Sequence, residues 1–510
     1  MTYESEKITR KKRIDQQLKA AGWIIIPYAE GMSLTILTNH AIEELPTNKG
    51  FADYALVVNG KLLGVIEAKK LEIGAENVLE QAKRYSKDVS NTIGEWHKYY
   101  IPFLYSSNGE LIYHLDVRDS KNLSRHIFSF HTPEAMVTLF NFKRGPALKW
   151  LKDKPIDKPG LRPYQKNAVQ AFETHLEEGK RLILLAMATG TGKTFTTVNL
   201  VYRMLASGYA KRILFLVDRK SLAAQAVTAF SSYDTPRNIK FKDEYEMYSQ
   251  RFQKEDFEDE TYDTTVLPNS YLTNPDGTKT FLYICTIQRM AINLFGKMGA
   301  FSEDEERGNE EEETLSIPSH AFDLIIADEC HRGYTSKETN VWRNVLNHFD
   351  AVKVGLTATP ASHTVAYFGK PIFNYPLQQA IDEGFLVDYD AVAINSNVLM
   401  NGAFLKEGEQ VGMIDTETGR EQIDQLEDER EFTSTEIEEK ITAPDTNQKI
   451  IEELKKYADE FEKERGRFPK TLIFASNDIP MISHADRLVK ICKNVFNQGD
   501  DFVAKITGSP

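Results

Sequence analysis

Five short apolar runs between residues 181 and 357 constrain the fold of this 510-residue chain more than any other feature. They read RLILLAMA, KRILFLVD, FLYICT, FDLIIAD and AVKVGLT, and they alternate with helical stretches. Continuous apolar runs of this length between helices are typical of parallel strands that are covered on both faces. The region from residue 161 onward is therefore predicted to form an α/β fold around a parallel sheet.

The first of these runs leads into a glycine-rich loop and then into a helical pattern. The residues that carry the chemistry of this loop are Gly190, Thr191, Gly192, Lys193 and Thr194. The glycines would let the backbone wrap around a chain of phosphates, to which the helix presents free amides and the positive end of its dipole. The lysine would reach the β- and γ-phosphates, and the Thr194 hydroxyl would ligate Mg²⁺.

A second, acidic element supports a nucleotide site, although Met187 stands where the strict GxxxxGK(S/T) pattern has its first glycine. The run FDLIIAD delivers Asp328 and Glu329 at the end of a strand, which is the edge where parallel sheets bind ligands. Asp328 would hold magnesium through water, and Glu329 would polarise the attacking water. The two elements together predict ATP and Mg²⁺ as cofactors.

A hairpin near the amino end carries charges inside its strands. The sequence GFADYALVVNGKLLGVIEAK places Asp53, Glu67 and Lys69 in mostly apolar strands, where an unpaired charge is costly to bury. A two-residue loop at Asn59 and Gly60 would leave the two acids on opposite faces. A three-residue loop with Gly60 as a G1 bulge, or an equivalent bulge elsewhere, would put all three charges on one face. We predict the second arrangement, because two carboxylates beside a lysine suit a Mg²⁺-dependent phosphodiesterase.

From residue 161 onward the chain resembles superfamily 2 helicases and translocases, whose motors are built from RecA-like domains. The blocks LRPYQ, DRKSLAAQ, DECH and TAT resemble its adenine-binding motif, motif Ia, motif II and motif III. The resemblance implies that Gln165 recognises adenine and that His331, Thr357 and Thr359 couple the nucleotide state to DNA. Cys330 is interpreted as a small buried filler, because no activating base is suggested beyond its neighbour His331.

The hairpin pattern, an Asp followed by ExK, resembles the PD-(D/E)xK nuclease family, with Ala52 in place of the proline. In the next predicted helix, Gln81 and Tyr85 lie one turn apart and resemble the QxxxY element of nucleases related to exonuclease RecB. The resemblance implies catalytic roles for these two residues and for the hairpin charges, of which the two acids would also hold the metal. Glu6, on a helix predicted over residues 6–21, is a further candidate ligand.

A nuclease ahead of a motor resembles the restriction (R) subunit of type I restriction-modification enzymes, whereas type III subunits carry the nuclease after the motor. We predict a PD-(D/E)xK endonuclease domain of α+β type over residues 1–145 and a linker over 146–160. A RecA-like motor domain over 161–375 and the start of a second one over 376–510 would follow, with KTLIFASN at 470–477 as a strand of the second. The later motor motifs are missing, so a fragment of a longer subunit is expected.

The resemblance implies an ATP-driven double-stranded DNA translocase fused to an endonuclease that cuts unmethylated foreign DNA away from the recognition site. Its partners would be methyltransferase and specificity subunits. One alternative is a repair helicase with a degenerate nuclease module, against which the intact hairpin charges argue. The other is a nucleotide-gated DNA-binding module without cleavage, against which the intact Lys193, Asp328 and Glu329 argue.

Composition excludes several other classes of protein. The formal net charge of −13 argues against a simple nucleic-acid coat protein. The three cysteines, Cys285, Cys330 and Cys492, are too far apart for a metal knuckle and suit a reducing compartment. The amino end lacks the apolar core of a secretory signal, and no apolar run is long enough to span a bilayer. We therefore expect a cytoplasmic protein without membrane contact.

Overall fold

A computed structural model describes residues 5–47, 50–71, 79–87, 93–252, 265–296, 314–330, 336–389, 403–405, 410–414, 421–425, 430–432, 444–475 and 483–506. The chain divides into two compact units, Met1–Val387 and Asp388–Pro510. The first unit contains a mixed sheet, here called the N-terminal module (up to Asn141), and a parallel sheet, here called the parallel-sheet module (from Pro163).

The N-terminal module begins with the predicted helix, whose middle turn is π-helical. It consists of α1 (Glu6–Thr9), a π-helical turn (Arg10–Ile14) and α2 (Asp15–Ala20). Ile14 and Leu18, four residues apart, are fully buried in the apolar cluster beneath the sheet. A π-helical turn widens the backbone ring and so redirects the side chains on either side of it.

Seven strands form the N-terminal sheet, and their spatial order follows the chain from β1 to β7. The β1–β2 and β4–β5 pairs are parallel and the other pairs are antiparallel. Alternate residues of β3 enter two separate apolar clusters, so the central hairpin is buried on both faces. The strands are β1 (Ile24–Pro27), β2 (Asn39–Thr47), β3 (Gly50–Val58), β4 (Lys61–Ala68), β5 (Phe103–Ser107), β6 (Ile112–Asp116) and β7 (Arg125–Ile127), with a 3₁₀ turn (Leu34–Ile36) and the helices α3 (Leu79–Ser86) and α4 (Pro133–Asn141).

The β3–β4 hairpin has a two-residue turn together with a bulge. Val58 pairs with Lys61 across the turn, as in the tight-loop alternative, but the register then shifts, so that Leu56 pairs with Gly64. The preferred three-residue loop was therefore wrong, and the alternative of an equivalent bulge elsewhere is confirmed. Tyr54 pairs with Ile66, and one further step in this register places Asp53 opposite Glu67.

The parallel-sheet module contains a seven-stranded sheet in the order β10-β11-β9-β12-β13-β8-β14, and all its pairs are parallel. The five apolar runs form β8, β9, β11, β12 and β13, which confirms the prediction of an α/β fold around a parallel sheet. The two edge strands, too short to show as apolar runs, were missed. The strands are β8 (Leu182–Met187), β9 (Arg212–Val217), β10 (Glu246–Ser249), β11 (Phe281–Thr286), β12 (Leu324–Ala327), β13 (Val352–Thr357) and β14 (Phe373–Tyr375).

Helices cover both faces of this sheet, and two large apolar clusters fill the space between sheet and helices. The helices are α6 (Pro163–Glu177), α7 (Lys193–Ser207), α8 (Lys220–Ser232), α9 (Phe241–Glu244), α10 (Asn269–Thr273), α11 (Ile287–Phe295), α12 (Ser336–His348), α13 (Ser362–Phe368) and α14 (Leu377–Asp382). The last of them packs through Ala380 against Tyr164 and Met187, although a second motor domain was predicted to start at residue 376. The division between the two compact units falls after Val387.

The segment predicted as a linker, residues 146–160, is helical in its first half. Helix α5 (Arg144–Asp153) contains Pro146 in its first turn and buries Ala147 and Leu151, and the other two prolines of the segment follow it. The side chain of Arg203 donates hydrogen bonds to the carbonyls of Leu151 at 2.8 Å and of Lys154 at 3.0 Å, which satisfies the end of the helix. Apolar residues spaced one turn apart thus outweighed the charges that suggested a solvated linker.

The two modules of the first unit meet at a buried carboxylate. Asp350, 5 % exposed, accepts hydrogen bonds from Arg125 Nε at 2.6 Å and Arg125 Nη2 at 2.9 Å. It also accepts one from Arg181 Nη2 at 2.8 Å. Beside it, the hydroxyls of Ser129 and Ser319 lie 3.0 Å apart. Asp350 precedes β13 and Arg181 precedes β8, so both lie at the amino-terminal edge of the parallel sheet. The N-terminal module docks on this edge through Arg125.

The described part of the second unit contains two small two-stranded antiparallel sheets and a helix pair. Strand β15 (Ala403–Leu405) pairs with β18 (Arg430–Phe432), and β16 (Gln410–Ile414) pairs with β17 (Glu421–Gln425). Helices α15 (Pro444–Arg465) and α16 (His484–Phe496) share one apolar cluster, and a 3₁₀ turn (Asp500–Phe502) follows.

The strand predicted at residues 470–477 is absent from the part of it that the structure describes, residues 470–475. These residues have no regular secondary structure, and Leu472 and Phe474 are 66 % and 87 % exposed. A strand is held by the hydrogen bonds of its neighbours, and no described strand lies alongside this segment. Its apolar sequence alone was therefore not sufficient.

Among the helices that are described in this chain, none combines the length and the hydropathy that crossing a membrane requires.

Candidate active sites

The glycine-rich loop connects β8 to α7, as the sequence predicts. Gly190 and Gly192 have φ values of 83° and 79°, in the left-handed region that favours glycine. A Cβ atom on Gly192 would lie 2.5 Å from Nε2 of Gln165, so a larger residue has no room there. Helix α7 begins at Lys193, with Thr194 in its first turn. The free backbone amides of the first turn of this helix therefore lie next to the loop.

The acidic pair lies across from this loop at the end of β12. The Lys193 ammonium is 3.2 Å from Oε1 of Glu329, and both side chains are largely buried. Glu329 has a φ of 50°, and its backbone N–H donates to Oδ1 of Asp328 at 3.0 Å. The structure thus brings together the lysine and the two acids that the sequence predicts for nucleotide hydrolysis. Met187, which replaces the first glycine of the pattern, is the buried last residue of β8.

Gln165 contacts the glycine-rich loop with its side-chain amide. Its Nε2 donates to the carbonyl of Thr191 at 2.9 Å, and its Oε1 accepts the N–H of Arg162 at 2.9 Å. The second contact closes a capping box at the start of α6. Gln165 is 3 % exposed, so in this arrangement it braces the loop and caps a helix. Recognition of adenine by this residue stays a prediction.

Two of the three residues predicted to couple nucleotide and DNA, Thr357 and Thr359, lie at or just after the end of β13. Thr357 is fully buried, and its hydroxyl oxygen accepts the N–H of Thr359 at 3.1 Å. The N–H of Cys330 donates to the carbonyl of Leu356 at 3.1 Å, which joins the ends of β12 and β13. Burial raises the pKa of the Cys330 thiol, as expected of a filler. His331 lies outside the described residues.

The charges of the N-terminal hairpin converge on one face. Lys69 Nζ lies 2.6 Å from Oε1 of Glu67, and Oδ2 of Asp53 accepts the N–H of Ala68 at 2.8 Å. The other oxygen of Glu67, Oε2, is buried and has no hydrogen-bond partner among the residues that the structure describes. The bulge described above produces this arrangement, because it offsets β4 by one residue relative to β3.

The electrostatics of this hairpin suit a cation. Burial raises the pKa of Glu67 to about 7. The hydrogen bond from Lys69 lowers this pKa, whereas the negative charge of Asp53 raises it further. Burial also raises the pKa of Asp53, which the N–H of Ala68 and the charge of Arg10 oppose. A divalent cation relieves such an excess of buried negative charge, and the unpartnered Oε2 of Glu67 offers it a ligand. The residues therefore fit Mg²⁺, although no group of three or more His, Cys, Asp or Glu side chains that could hold a metal occurs among the residues that the structure describes.

The other predicted residues of this site lie nearby. Lys69 Nζ is 3.9 Å from Oε2 of Glu6 on α1. Tyr85 and Gln81 are half-buried on α3. Burial, and then the charges of Glu67 and Asp53, raise the pKa of the Tyr85 hydroxyl, so this residue is within electrostatic range of both acids. Their catalytic roles stay predictions.

Sequence analysis missed Arg10. Its Nη1 lies 3.1 Å from Oδ1 of Asp53, and its guanidinium lies 5.0 Å from the centre of the Tyr54 ring. The run RKKR at residues 10–13 was visible, but basic residues on a surface helix are common. The π-helical turn that begins at Arg10 has no clear sequence signature, so this residue could not be singled out.

Comparisons with known proteins find matches to both modules of the first unit. The family model described as "Type III restriction enzyme, res subunit" matches residues 158–362. The model described as "Type I restriction enzyme EcoKI endonuclease subunit second domain" matches residues 24–140. The EcoKI endonuclease subunit of Escherichia coli (strain K12) is 32 % identical, over 97 % of this chain and 44 % of its own length. The chain belongs to the endonuclease subunits of type I restriction enzymes.

Other members of these endonuclease subunits are more distant. The EcoAI endonuclease subunit of Escherichia coli is 27 % identical over 88 % of this chain and 48 % of its own length. The SauCOLORF180P endonuclease subunit of Staphylococcus aureus (strain COL) is 26 % identical over 73 % and 38 %. The chain thus spans less than half the length of these curated relatives.

A solved fragment of an HsdR subunit of a type I restriction enzyme, from Vibrio vulnificus YJ016, is 20 % identical and covers 98 % of this chain, which in turn covers 76 % of the fragment. The TM-score is 0.34. The fold assignment of this restriction subunit rests on the strand order described above.

Proposed function

We propose that this chain carries the ATP-driven motor and the Mg²⁺-dependent endonuclease of a type I restriction enzyme. In the cytoplasm it would act on double-stranded DNA with methyltransferase and specificity subunits, and it would cut unmethylated DNA away from the recognition site. The observation that carries the nuclease half is the convergence of Asp53, Glu67 and Lys69 on one face of a buried hairpin. The Lys193–Glu329 contact beside the glycine-rich loop supports the motor half.

In the motor, the amides of the glycine-rich loop would bind the phosphates of ATP. Lys193 would leave Glu329 for the β- and γ-phosphates, and this exchange would free Glu329 to orient and polarise the attacking water. Thr194 and Asp328 would hold Mg²⁺, which neutralises charge that develops on the phosphates. Because Cys330 joins the ends of β12 and β13, a movement at motif II would reach Thr357 and Thr359.

In the nuclease, Asp53 and Glu67 would hold Mg²⁺, which supplies Lewis-acid stabilisation of the phosphodiester as it is attacked. Lys69, which already contacts Glu67, would orient the attacking water and stabilise the negative charge that develops on the phosphate. Gln81 and Tyr85 would position the DNA strand from α3. The recognition of a DNA sequence would belong to the partner subunits.

The experiment compares ATP hydrolysis and plasmid cleavage by the full-length subunit, assembled with its partner subunits on unmethylated DNA. Glu67→Gln should abolish cleavage and leave ATPase near the wild-type rate, because the motor has its own magnesium site. Lys193→Ala should lower ATP hydrolysis by about 100-fold or more and abolish cleavage that requires translocation. Glu110→Gln, an exposed acid of the same module, is the matched control and should change neither activity.

Three results would contradict the proposal. Cleavage by Glu67→Gln would show that the hairpin charges have a structural role and not a catalytic one. A wild-type ATPase rate in Lys193→Ala would show that the glycine-rich loop is not the site of ATP hydrolysis. Cleavage by the subunit without any partner would argue against a restriction enzyme of this type.

A further inference from the structure

Arg10 occupies the carboxylate on which the nuclease depends. Its Nη1 is 3.1 Å from Oδ1 of Asp53, and its Nη2 donates to the carbonyl of the same residue at 3.2 Å. Since Ala68 already donates to Oδ2, both carboxylate oxygens of Asp53 have a partner. A divalent cation that shares Asp53 with Glu67 must therefore bind beside the positive charge of Arg10, which repels it.

A cavity of about 370 Å³ lies beside this arginine, within the size range of small-ligand pockets. It is lined by the cations Arg10, Lys7 and Lys11, the acids Glu43 and Glu44, and the aromatic ring of Phe51. The charges of these residues leave an excess of one positive charge. Lys7 and Phe51 are exposed to solvent, so the cavity is open to a ligand from outside.

The guanidinium of Arg10 has unused hydrogen-bonding capacity. Arg10 is 9 % exposed, and its Nε is buried without a hydrogen-bond partner among the described residues. A guanidinium binds a carboxylate and a phosphate with the same forked geometry. An exchange of Asp53 for a phosphate would thus keep the type of contact and add a use for Nε.

We propose that Arg10 makes metal binding by the nuclease depend on DNA. Without DNA, Arg10 holds Asp53 and competes with a cation for its Oδ1. When a DNA strand enters the cavity, one of its phosphates draws Arg10 away, and Asp53 becomes available to Mg²⁺ beside Glu67. Arg10 is in this account a positioning residue, because it acts through Asp53. The inference rests on the proposed nuclease function, and it would keep the nuclease metal-poor until substrate is in place.

The test measures the binding of Mn²⁺, as a probe for Mg²⁺, to the full-length subunit without nucleotide, by electron paramagnetic resonance. A short DNA duplex should raise the Mn²⁺ affinity of the wild type by about tenfold, because one adjacent positive charge is withdrawn. Arg10→Gln should bind Mn²⁺ at the higher affinity without DNA and should not respond further to the duplex. Arg10→Lys, which keeps the charge, should retain part of the response.

Two further variants serve as controls. Glu67→Gln removes a ligand and gives the background of Mn²⁺ bound elsewhere. Arg13→Gln, three residues along the same helix and 36 % exposed, should behave as the wild type.

An unchanged Mn²⁺ affinity of the wild type on addition of duplex overturns the inference, and this measurement requires no variant to fold. Wild-type Mn²⁺ binding by a folded Arg10→Gln overturns it as well. Either outcome leaves the nuclease assignment intact, since cleavage by Glu67→Gln tests that assignment separately.

Discussion

Gln165 uses both ends of its side-chain amide within the protein. The nitrogen is bonded to the carbonyl of Thr191 in the glycine-rich loop, and the oxygen is bonded to the N–H of Arg162 at the start of α6. A nucleobase that approached this residue would have to share these two atoms with hydrogen bonds that are each worth about 1 kcal/mol. At this position, bracing of the loop and recognition of adenine therefore compete for the same atoms.

Substitution of this residue separates the two roles. If Gln165 braces the loop, Gln165→Ala should raise the KM for ATP about three- to tenfold, in line with the loss of one hydrogen bond, and should raise the KM for GTP equally. Steady-state ATPase and GTPase assays of the assembled enzyme measure this. A selective loss of ATP over GTP would instead show that the amide contacts adenine.

Single residues differed in how far the sequence could predict them. Lys193 and Glu329 follow from motifs whose spacing is set by the chemistry of phosphates, and the structure places them 3.2 Å apart. Arg10 could not be predicted, because its contact with Asp53 depends on a π-helical turn and joins residues that are 43 positions apart in the chain. A basic residue on a helix gives no local signal of which partner it will meet.

At the scale of elements, the β3–β4 hairpin decides whether a metal site exists. Asn59 and Gly60 have φ values of 47° and 74°, as in a type I′ turn. Their N–H groups donate to the carbonyls of Thr38 and Leu37, both at 2.7 Å. These contacts with a distant segment favour the two-residue turn over the three-residue loop that we preferred from the sequence. The bulge brings the charges back to one face of the hairpin. The need for such a bulge could be predicted from the sequence, but its position in the strands could not.

Gly60→Ala tests the turn. An added Cβ would lie 2.8 Å from the carbonyl oxygen of Thr35, and Gly60 has a positive φ that alanine adopts poorly. We expect a loss of about 1–3 kcal/mol in the stability of the N-terminal module, measured by chemical denaturation. Gly145→Ala, where a Cβ would meet nothing within 4 Å, is the matched control. Equal stability of both variants would show that the turn is not constrained as described.

Elements that depend on neighbours were the least predictable. The five central strands of the parallel sheet show as apolar runs because both of their faces are buried. The apolar segment at residues 470–475 has the same appearance in the sequence, but it forms no strand in the described part of the second unit. Whether an apolar segment forms a strand depends on hydrogen-bond partners from elsewhere in the fold. These partners cannot be predicted from the sequence of the segment itself.

At the scale of the first unit, Asp350 joins the N-terminal module to the parallel-sheet module. Burial would raise the pKa of its carboxyl, but the charges of Arg125 and Arg181, together with a hydrogen bond from His131, outweigh burial and hold the pKa well below 3.8. Lys353, also nearby, has its pKa lowered to about 8 by burial and by the charge of Arg181. This contact could not be predicted from local sequence, because Arg125 and Asp350 are 225 residues apart in the chain.

Asp350→Asn should destabilise the first unit by about 3 kcal/mol at neutral pH, because it leaves two buried or half-buried arginines without their counter-charge. A depressed pKa in the folded state stabilises the protein above the unfolded pKa, near 4, and this contribution is lost as pH falls towards the folded value. The difference between variant and wild type should therefore shrink below about pH 4. Chemical denaturation at several pH values measures this.

Asp234→Asn is the matched control for this variant, since it removes an exposed partner of Lys240 and should change stability little. A difference between Asp350→Asn and wild type that stayed constant with pH would contradict the assignment of a low pKa to Asp350.

The docking of the N-terminal module at the amino-terminal edge of the sheet also limits how such genes can recombine. The glycine-rich loop follows β8 at the opposite edge, so a crossover between the modules would leave each active site whole. It would nevertheless break the pairing of Arg125 with Asp350, unless the donor supplied a cation at the first position. A graft that fails would then fail because Asp350 is a buried carboxylate that has lost one of its two arginines and keeps only Arg181 of the pair, with both sets of active-site residues still in place.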